Sequence, residues 1–324
     1  MGCSQIQDLL LTTPITKLNY HCENHLYIKR DDLLPYSFGG NKLRIALELL
    51  ADFRIKQCDC FVSYGSSCSN LNRVVANICR TEGIPCYVVS SVADSECSVS
   101  NNSILVEALG ATIVTCAKDN VRATVRGLLN QLTAQGYKPY YIYGNEDGNG
   151  NESVLVRAYE KVFDEILSQE KALRIEFDYV CHASGTGMTQ SGLLLGKLKY
   201  KSRKHIVGLS IARNQANGTA AICRYLNSSL SVTGDVRCAL LFEDKYVCGG
   251  YGQYDSRVVQ TIRDVFEKNG IPMDLTYTGK GFCGMIQYLS ENQIKNKNVL
   301  FIHTGGTPLF FNSLQTVFGG KVSQ

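Results

Sequence analysis

An α/β fold of two units, each a mostly parallel sheet flanked by helices, is what this 324-residue chain predicts. Three observations carry that prediction. Short β-rich runs alternate with helical patterns from "CFVSYG" onward. The alternation is broken by "GNEDGNGNES" (144–153), the most turn-rich stretch, and then resumes. A hydrophobic content of 44% supplies enough apolar surface for two cores.

The elements follow in order. "IALELLAD" starts a helix, "CFVSYG" is a buried strand, and "LNRVVANICRTEG" is a helix stopped by Gly83. Next come the strand "IPCYVVS", the helix "SILVEALG" closed by Gly110, and the strand "TIVTC". "VRATVRGLLNQLTAQG" is a helix ending at Gly136, and "PYYIYG" is a strand. Past the turn-rich crossover, a long amphipathic helix "VLVRAYEKVFDEILSQE" opens the second series. That series runs through the strand "FDYVCHAS", the helix "TQSGLLLGKLKY", the strand "HIVGLSIA" and the helix "TAAICRYLNSSL". It closes with the helix "DSRVVQTIRDVFEKNG" and the strand "NVLFIHTGG". Two such units would form a cleft, where ligands usually sit in open α/β sheets.

Composition excludes several roles. The formal charge is only +4, and no block of five or six like charges occurs, so neither nucleic acid nor a membrane surface is an expected partner. No apolar stretch approaches 18 residues. Among 14 cysteines no pair has C-x-x-C spacing; Cys58 and Cys60 come nearest, and Cys79, Cys86 and Cys116 sit in apolar runs as small hydrophobes. Reduced thiols in a cytoplasmic protein are therefore expected, with no metal site. The start "MGCSQIQDLLLTTP" lacks the pattern of a secretory signal, and Ile6 stands where N-myristoylation wants serine or threonine.

Three stretches could carry chemistry. "HASGTGMTQSG" (182–192) is a glycine-rich strand-to-helix turn whose N–H groups could hold an anion, with Gly185 and Gly187 permitting close approach. It is no P-loop, and Gln190 breaks the dinucleotide fingerprint, so a plain turn is the competing explanation. "YGSSCSNLNR" (64–73) has the same form; Ser66, Ser67, Ser69 and Asn70 can cap a helix or hold a carboxylate. "YSFGGNKLR" (36–44) sets Gly39 and Gly40 against Asn41 and Lys42. Alone, Lys42 is a solvated charge; buried in a cleft, its amine could act as nucleophile or base, or hold a carbonyl cofactor. No G-x-S-x-G elbow supports a serine hydrolase, and His182 and His303 end apolar strands as core histidines. An amine, an anion cradle and a two-lobed body together suit pyridoxal phosphate.

"LYIKRDDLLPYSFGGNKLR", "GSSCSNLNR", "SGTGMTQSGL", "GYGQYD", "YTGKGFCGM" and "FIHTGG" occur in the order and spacing of one family. From about Thr13 to Pro308 the chain resembles the D-cysteine desulfhydrase and 1-aminocyclopropane-1-carboxylate (ACC) deaminase family, of the tryptophan synthase β-type, fold type II pyridoxal phosphate enzymes. The resemblance implies a large cofactor-binding domain over 1–48 and 152–324, a small domain over 49–151, and an active site in the cleft. It implies that Lys42 carries the cofactor as a Schiff base and that Asn70 faces the ring hydroxyl. Gly185, Thr186, Gly187, Met188 and Thr189 would bind the phosphate, and Thr278 or Thr304 would lie near the pyridine nitrogen. Ser69, Tyr277 and Tyr251 are implied catalytic residues, with Ser66, Ser67, Cys68 and Ser69 facing a small amino-acid substrate.

The reaction so implied is β-elimination: Lys42 removes the Cα proton, a Cβ leaving group departs, and pyruvate and ammonia are released. Sulfide as leaving group makes it a desulfhydrase. ACC deamination, sulfite loss from cysteate, β-replacement and a non-catalytic cofactor-binding protein are the alternatives. Two departures bear on substrate. Thr278 in "YTGK" stands where ACC deaminases resemble "YEGK", and a neutral threonine suits elimination of a good leaving group better than ring opening. "GSSCSN" replaces the common "GGIQSN" or "GAIQSN", so the substrate turn is smaller and more polar. Met188 replaces a common glycine but keeps its N–H. A homodimer is the family expectation.

Overall fold

The computed structural model describes residues 11–92, 99–229 and 240–319. The amino-terminal reading and the last residue of the "TAAICRYLNSSL" helix lie outside them. In chain order the elements are β1 (Ile15–Lys17), β2 (His25–Lys29), α1 (Asn41–Ile55), β3 (Cys60–Gly65), α2 (Asn70–Glu82), β4 (Cys86–Val92) and α3 (Asn101–Ala108). Next come β5 (Thr112–Ala117), α4 (Val121–Ala134), β6 (Pro139–Tyr141), α5 (Glu152–Leu173), β7 (Tyr179–Ser184) and α6 (Met188–Lys199). The remainder are β8 (His205–Ser210), α7 (Gln215–Ser229), β9 (Leu241–Glu243), α8 (Ser256–Asn269), α9 (Thr278–Glu291), β10 (Asn298–Ile302), α10 (Thr307–Asn312) and α11 (Leu314–Phe318).

Contacts divide the described chain into two compact units. The first contains Pro35–Ser37 and Lys42–Leu155. Its four-stranded sheet has the order β5-β4-β3-β6, parallel throughout. Helix α2 shows how the sequence builds it: Ser69 Oγ caps the amino end, Gly83 ends it at φ +68°, and Leu71, Val74, Val75 and Ile78 form its buried face. Phe53, Phe61 and Tyr140 stack or meet edge-on at 4.6–5.9 Å. Each such ring adds roughly 2–3 kcal/mol by burial. The "PYYIYG" strand is shorter than its composition suggests. Ile142 N–H still bonds Val62 O, but Gly144 N–H turns back to Tyr141 O at 2.8 Å.

The second unit contains Leu11–Leu34, Phe38–Asn41 and the chain from Val156 on. Its six-stranded sheet has the order β1-β2-β10-β7-β8-β9, parallel except for the antiparallel β1–β2 edge. Both sheets therefore have the mostly parallel, helix-flanked form that the alternation predicts. Ile28, Phe301, Cys181 and Val207, from four adjacent strands, pack with Phe282 of α9 and Ile262 of α8 as this unit's core. The eleven cysteines among the described residues are all free. No described helix is long and apolar enough to cross a membrane.

Candidate active site

The charged run before Lys42 faces inward. Asp31 is fully buried, accepting from Thr13 Oγ1 at 2.7 Å and Tyr159 OH at 2.6 Å, while its carbonyl accepts Gly40 N–H at 2.7 Å. Gly40 has φ +99°, and a Cβ there would lie 2.9 Å from Thr304 O; only glycine meets both conditions. Asn41 N–H donates to that same Thr304 O at 3.0 Å, and Asn41 Nδ2 donates to Thr189 Oγ1 at 3.1 Å. Lys42 is the next residue. Burial lowers its amine from 10.5 to about 8, and no described residue pairs with it.

The predicted anion loop connects β7 to α6. Gly187, at φ +94°, is the N-cap residue of α6, and no side chain caps the helix. Among the described residues, the N–H groups of Gly185, Thr186 and Gly187 have no acceptor. Those donors, the uncapped first turn at Met188 and Thr189, and the helix dipole form a cradle that fits a phosphate dianion. Gln190 has a structural task. Its Nε2 donates to Leu241 O at 2.6 Å, and its Oε1 accepts from Ser184 Oγ at 3.3 Å. That is why the third glycine of a dinucleotide fingerprint is absent.

Helix α9, unread in the sequence, carries the tyrosine and threonine candidates. Asp274 is fully buried at its amino end, accepting the N–H groups of Thr276, Tyr277 and Thr278 at 2.7–3.1 Å. Burial pushes its carboxyl up, and those donors oppose the shift. Thr278 Oγ1 donates to Asp274 Oδ2 at 2.9 Å and accepts from Asp274 N at 3.0 Å, so its hydroxyl is committed to the turn. Thr304 follows β10 and His303, and its side chain is partly exposed. His182 and His303 are both fully buried. Tyr251 OH and Tyr277 OH are 2.5 Å apart. Lys280, 1% exposed, donates to the carbonyls of Ile211, Val247 and Gly250 at 3.1, 3.1 and 2.7 Å and so anchors the loop leading to Tyr251.

In the first unit, the turn Ser66–Cys68 joins β3 to α2. Ser69 Oγ accepts Asn72 N–H at 3.2 Å as a helix cap and keeps its own proton available. Ser100 Oγ donates to Ser67 O at 2.6 Å, and Asn102 Nδ2 donates to Cys68 O at 3.0 Å, so the turn is held from the start of α3. Asn70 Oδ1 accepts from Asn102 Nδ2 at 2.9 Å and Arg73 Nη2 at 3.3 Å.

Within the second unit, the structure joins Asn41 to Thr189 and Thr304, and Tyr251 to Tyr277. Within the first it gathers Ser66–Asn70 around Asn102 and Arg73. Sequence reasoning missed Asn41, Arg73, Asn102, Asp274 and Lys280. Three of them stand inside the quoted motifs beside the residues they hold, and Asp274 has the spacing of a capping aspartate four residues ahead of Thr278.

Residues 6–305 match the family described as pyridoxal-phosphate dependent enzyme. Among curated relatives, the D-cysteine desulfhydrase of Klebsiella pneumoniae (strain 342) is 27% identical over 308 residues, covering 92% of this chain and 91% of the relative. That of Yersinia pestis (strain Pestoides F) is 29% identical over 312 residues, covering 92% of each. Among solved structures, an ACC deaminase homologue superposes with a TM-score of 0.84 at 28% identity, covering 96% of this chain and 95% of that one.

Proposed function

The chain belongs to the pyridoxal-phosphate dependent enzyme family, and on that footing we propose that it is a carbon–sulfur β-lyase acting on a small amino acid, with cysteine, and D-cysteine first, as substrate. The observation that carries the reading is Lys42: an amine lowered to about 8 by burial, one residue after Asn41, which is tied to Thr189 of the anion loop. Bound pyridoxal phosphate supplies a carbonyl that engages amines and an electron sink for charge developing at the substrate Cα.

The chain's own residues then divide the work. The N–H groups of Gly185 to Thr189 hold the phosphate. The Asn70 amide donates to the ring hydroxyl. Of the two threonines considered for the ring nitrogen, Thr304 is the better supported, because Thr278 is committed to Asp274. Lys42, about half neutral at pH 8, takes the Cα proton in its neutral form. Ser69 and the turn Ser66–Cys68 bind the substrate carboxylate. The paired hydroxyls of Tyr251 and Tyr277 hold the proton where the leaving group departs. A hydroxyl rather than a carboxylate at the ring nitrogen supports elimination of a good leaving group over ring opening. The eleven free cysteines among the described residues support a reducing cytoplasm as the setting, and a homodimer is the assembly to test by light scattering.

Borohydride reduction of the holoenzyme followed by peptide mass spectrometry should find the cofactor on Lys42. A panel of D-cysteine, L-cysteine, β-chloroalanine, cysteate and ACC, scored for pyruvate, 2-oxobutyrate, sulfide and sulfite, then reads the reaction. Sulfide and pyruvate from cysteine are the expected products. 2-Oxobutyrate from ACC alone, or silence without a second nucleophile, would overturn the assignment.

A further inference from the structure

Asn70 has an amide whose two ends are treated differently. Its oxygen accepts from both Asn102 Nδ2 (2.9 Å) and Arg73 Nη2 (3.3 Å), which fills its two lone pairs. Its nitrogen donates to no described residue, although the side chain is only partly exposed. The donors on the oxygen are themselves fixed. Arg73 Nε donates to Asn102 Oδ1 at 2.9 Å, so Arg73, Asn102 and Asn70 close a ring of hydrogen bonds. The other end of the Arg73 fork donates to Ser37, to its hydroxyl at 2.9 Å and to its carbonyl. Arg73 is 1% exposed and Asn102 fully buried. The guanidinium geometry permits this in a way that an ammonium could not, because its donors lie in one plane at fixed angles.

We propose that Arg73, with Asn102, is a positioning residue for the cofactor: the pair fixes the Asn70 carboxamide so that only its NH2 is presented to the bound molecule. A free amide rotates and offers oxygen or nitrogen with little preference. Here the flipped state would set an NH2 against two donors and leave Arg73 and Asn102 with buried, unsatisfied N–H groups. The ring therefore makes the Asn70 site a donor, selective for an acceptor oxygen such as an ionised ring hydroxyl. The positive charge at the amide oxygen also polarises the amide and strengthens that donor. Through Ser37 the same arginine holds the segment that leads to Lys42, five residues on, so one side chain ties the lysine loop to the Ser-Asn turn.

The inference rests on the reading of Asn70 as a cofactor contact, and a double-mutant cycle separates the two. Full-length protein freed of cofactor is titrated with pyridoxal phosphate by fluorescence, for wild type, Asn70→Ala, Arg73→Gln, Asn102→Ala and both double variants. A thermal melt of each sample establishes its folded fraction. Arg73→Gln should weaken affinity on the order of tenfold in the Asn70 background and less than twofold in the Asn70→Ala background. Asn102→Ala, a smaller excision, should show the same non-additivity and keeps the test open where Arg73→Gln does not fold. Equal losses in both backgrounds, or lowered melting temperature with unchanged affinity, would reduce Arg73 to a core-packing role and overturn the proposal. Unchanged affinity in Asn70→Ala would remove the reading of Asn70 as a contact, and the proposal with it.

Discussion

An ordinary lysine near 10.5 has well under one amine in a hundred neutral at pH 8, whereas Lys42 at about 8 has about half. That difference is the chemistry the site needs, because only the neutral amine attacks a carbonyl or removes a proton. Attachment of pyridoxal phosphate to the cofactor-free chain should therefore quicken with pH and level off above about 8, followed by stopped-flow absorbance. A midpoint near 10.5 would show an unperturbed amine. Lys42→Ala should leave no cofactor fixed by borohydride and lower elimination by about a thousandfold or more, measured as pyruvate release. None of this was legible in Lys42 alone. Its neighbours made it readable: the two glycines, whose approach to Asp32 and Thr304 leaves no room for a Cβ, and the ordered motifs downstream.

Helix α9 shows what an element-level reading cannot see. Its first turns, "TGKGFCG", contain three glycines, each weakening the helical signal. The structure supplies the reason: a Cβ on Gly281 would lie within 2.8–3.2 Å of Ala183 on β7. Packing against the sheet outweighs propensity. The strands and helices that bury one regular face, such as α2 and β7, were readable because their period is local. The three-residue strands β1 and β9, and supports such as Asn41 on Thr189 and Asn102 on Asn70, depend on partners far away in sequence. Two substitutions test how α9 is held. Asp274→Ala strips three N–H groups and the Thr278 hydroxyl of their acceptor and should cost on the order of 2 kcal/mol or more in a thermal melt. Lys280→Met leaves three carbonyls without that donor and frees the loop to Tyr251. It should lower kcat by about tenfold while pyridoxal phosphate affinity stays near wild type; loss of affinity with kcat intact would place Lys280 with the cofactor instead.

For the whole molecule, the buried amine has a thermodynamic cost with a definite pH dependence. Lys42 titrates near 8 when folded and near 10.5 when unfolded, so between those values the unfolded chain holds more protons than the native one. Stability then rises with pH across that window, and below about 8 the full cost is present. Replacing the lysine with methionine removes the titration and keeps the apolar stem. In the cofactor-free protein, Lys42→Met should therefore be more stable than wild type by about 3 kcal/mol below pH 8. That advantage should shrink steadily towards pH 10.5, as followed by urea unfolding at each pH. A constant difference would mean that the amine titrates alike in both states. Added pyridoxal phosphate should reverse the order. It stabilises whatever native protein it binds, by about 4.1 kcal/mol at a thousand times its dissociation constant, and wild type binds it through a lysine that the variant lacks. The crossing of the two stability orders, methionine ahead without cofactor and lysine ahead with it, is the signature of an amine buried at a cost to folding for the chemistry it performs.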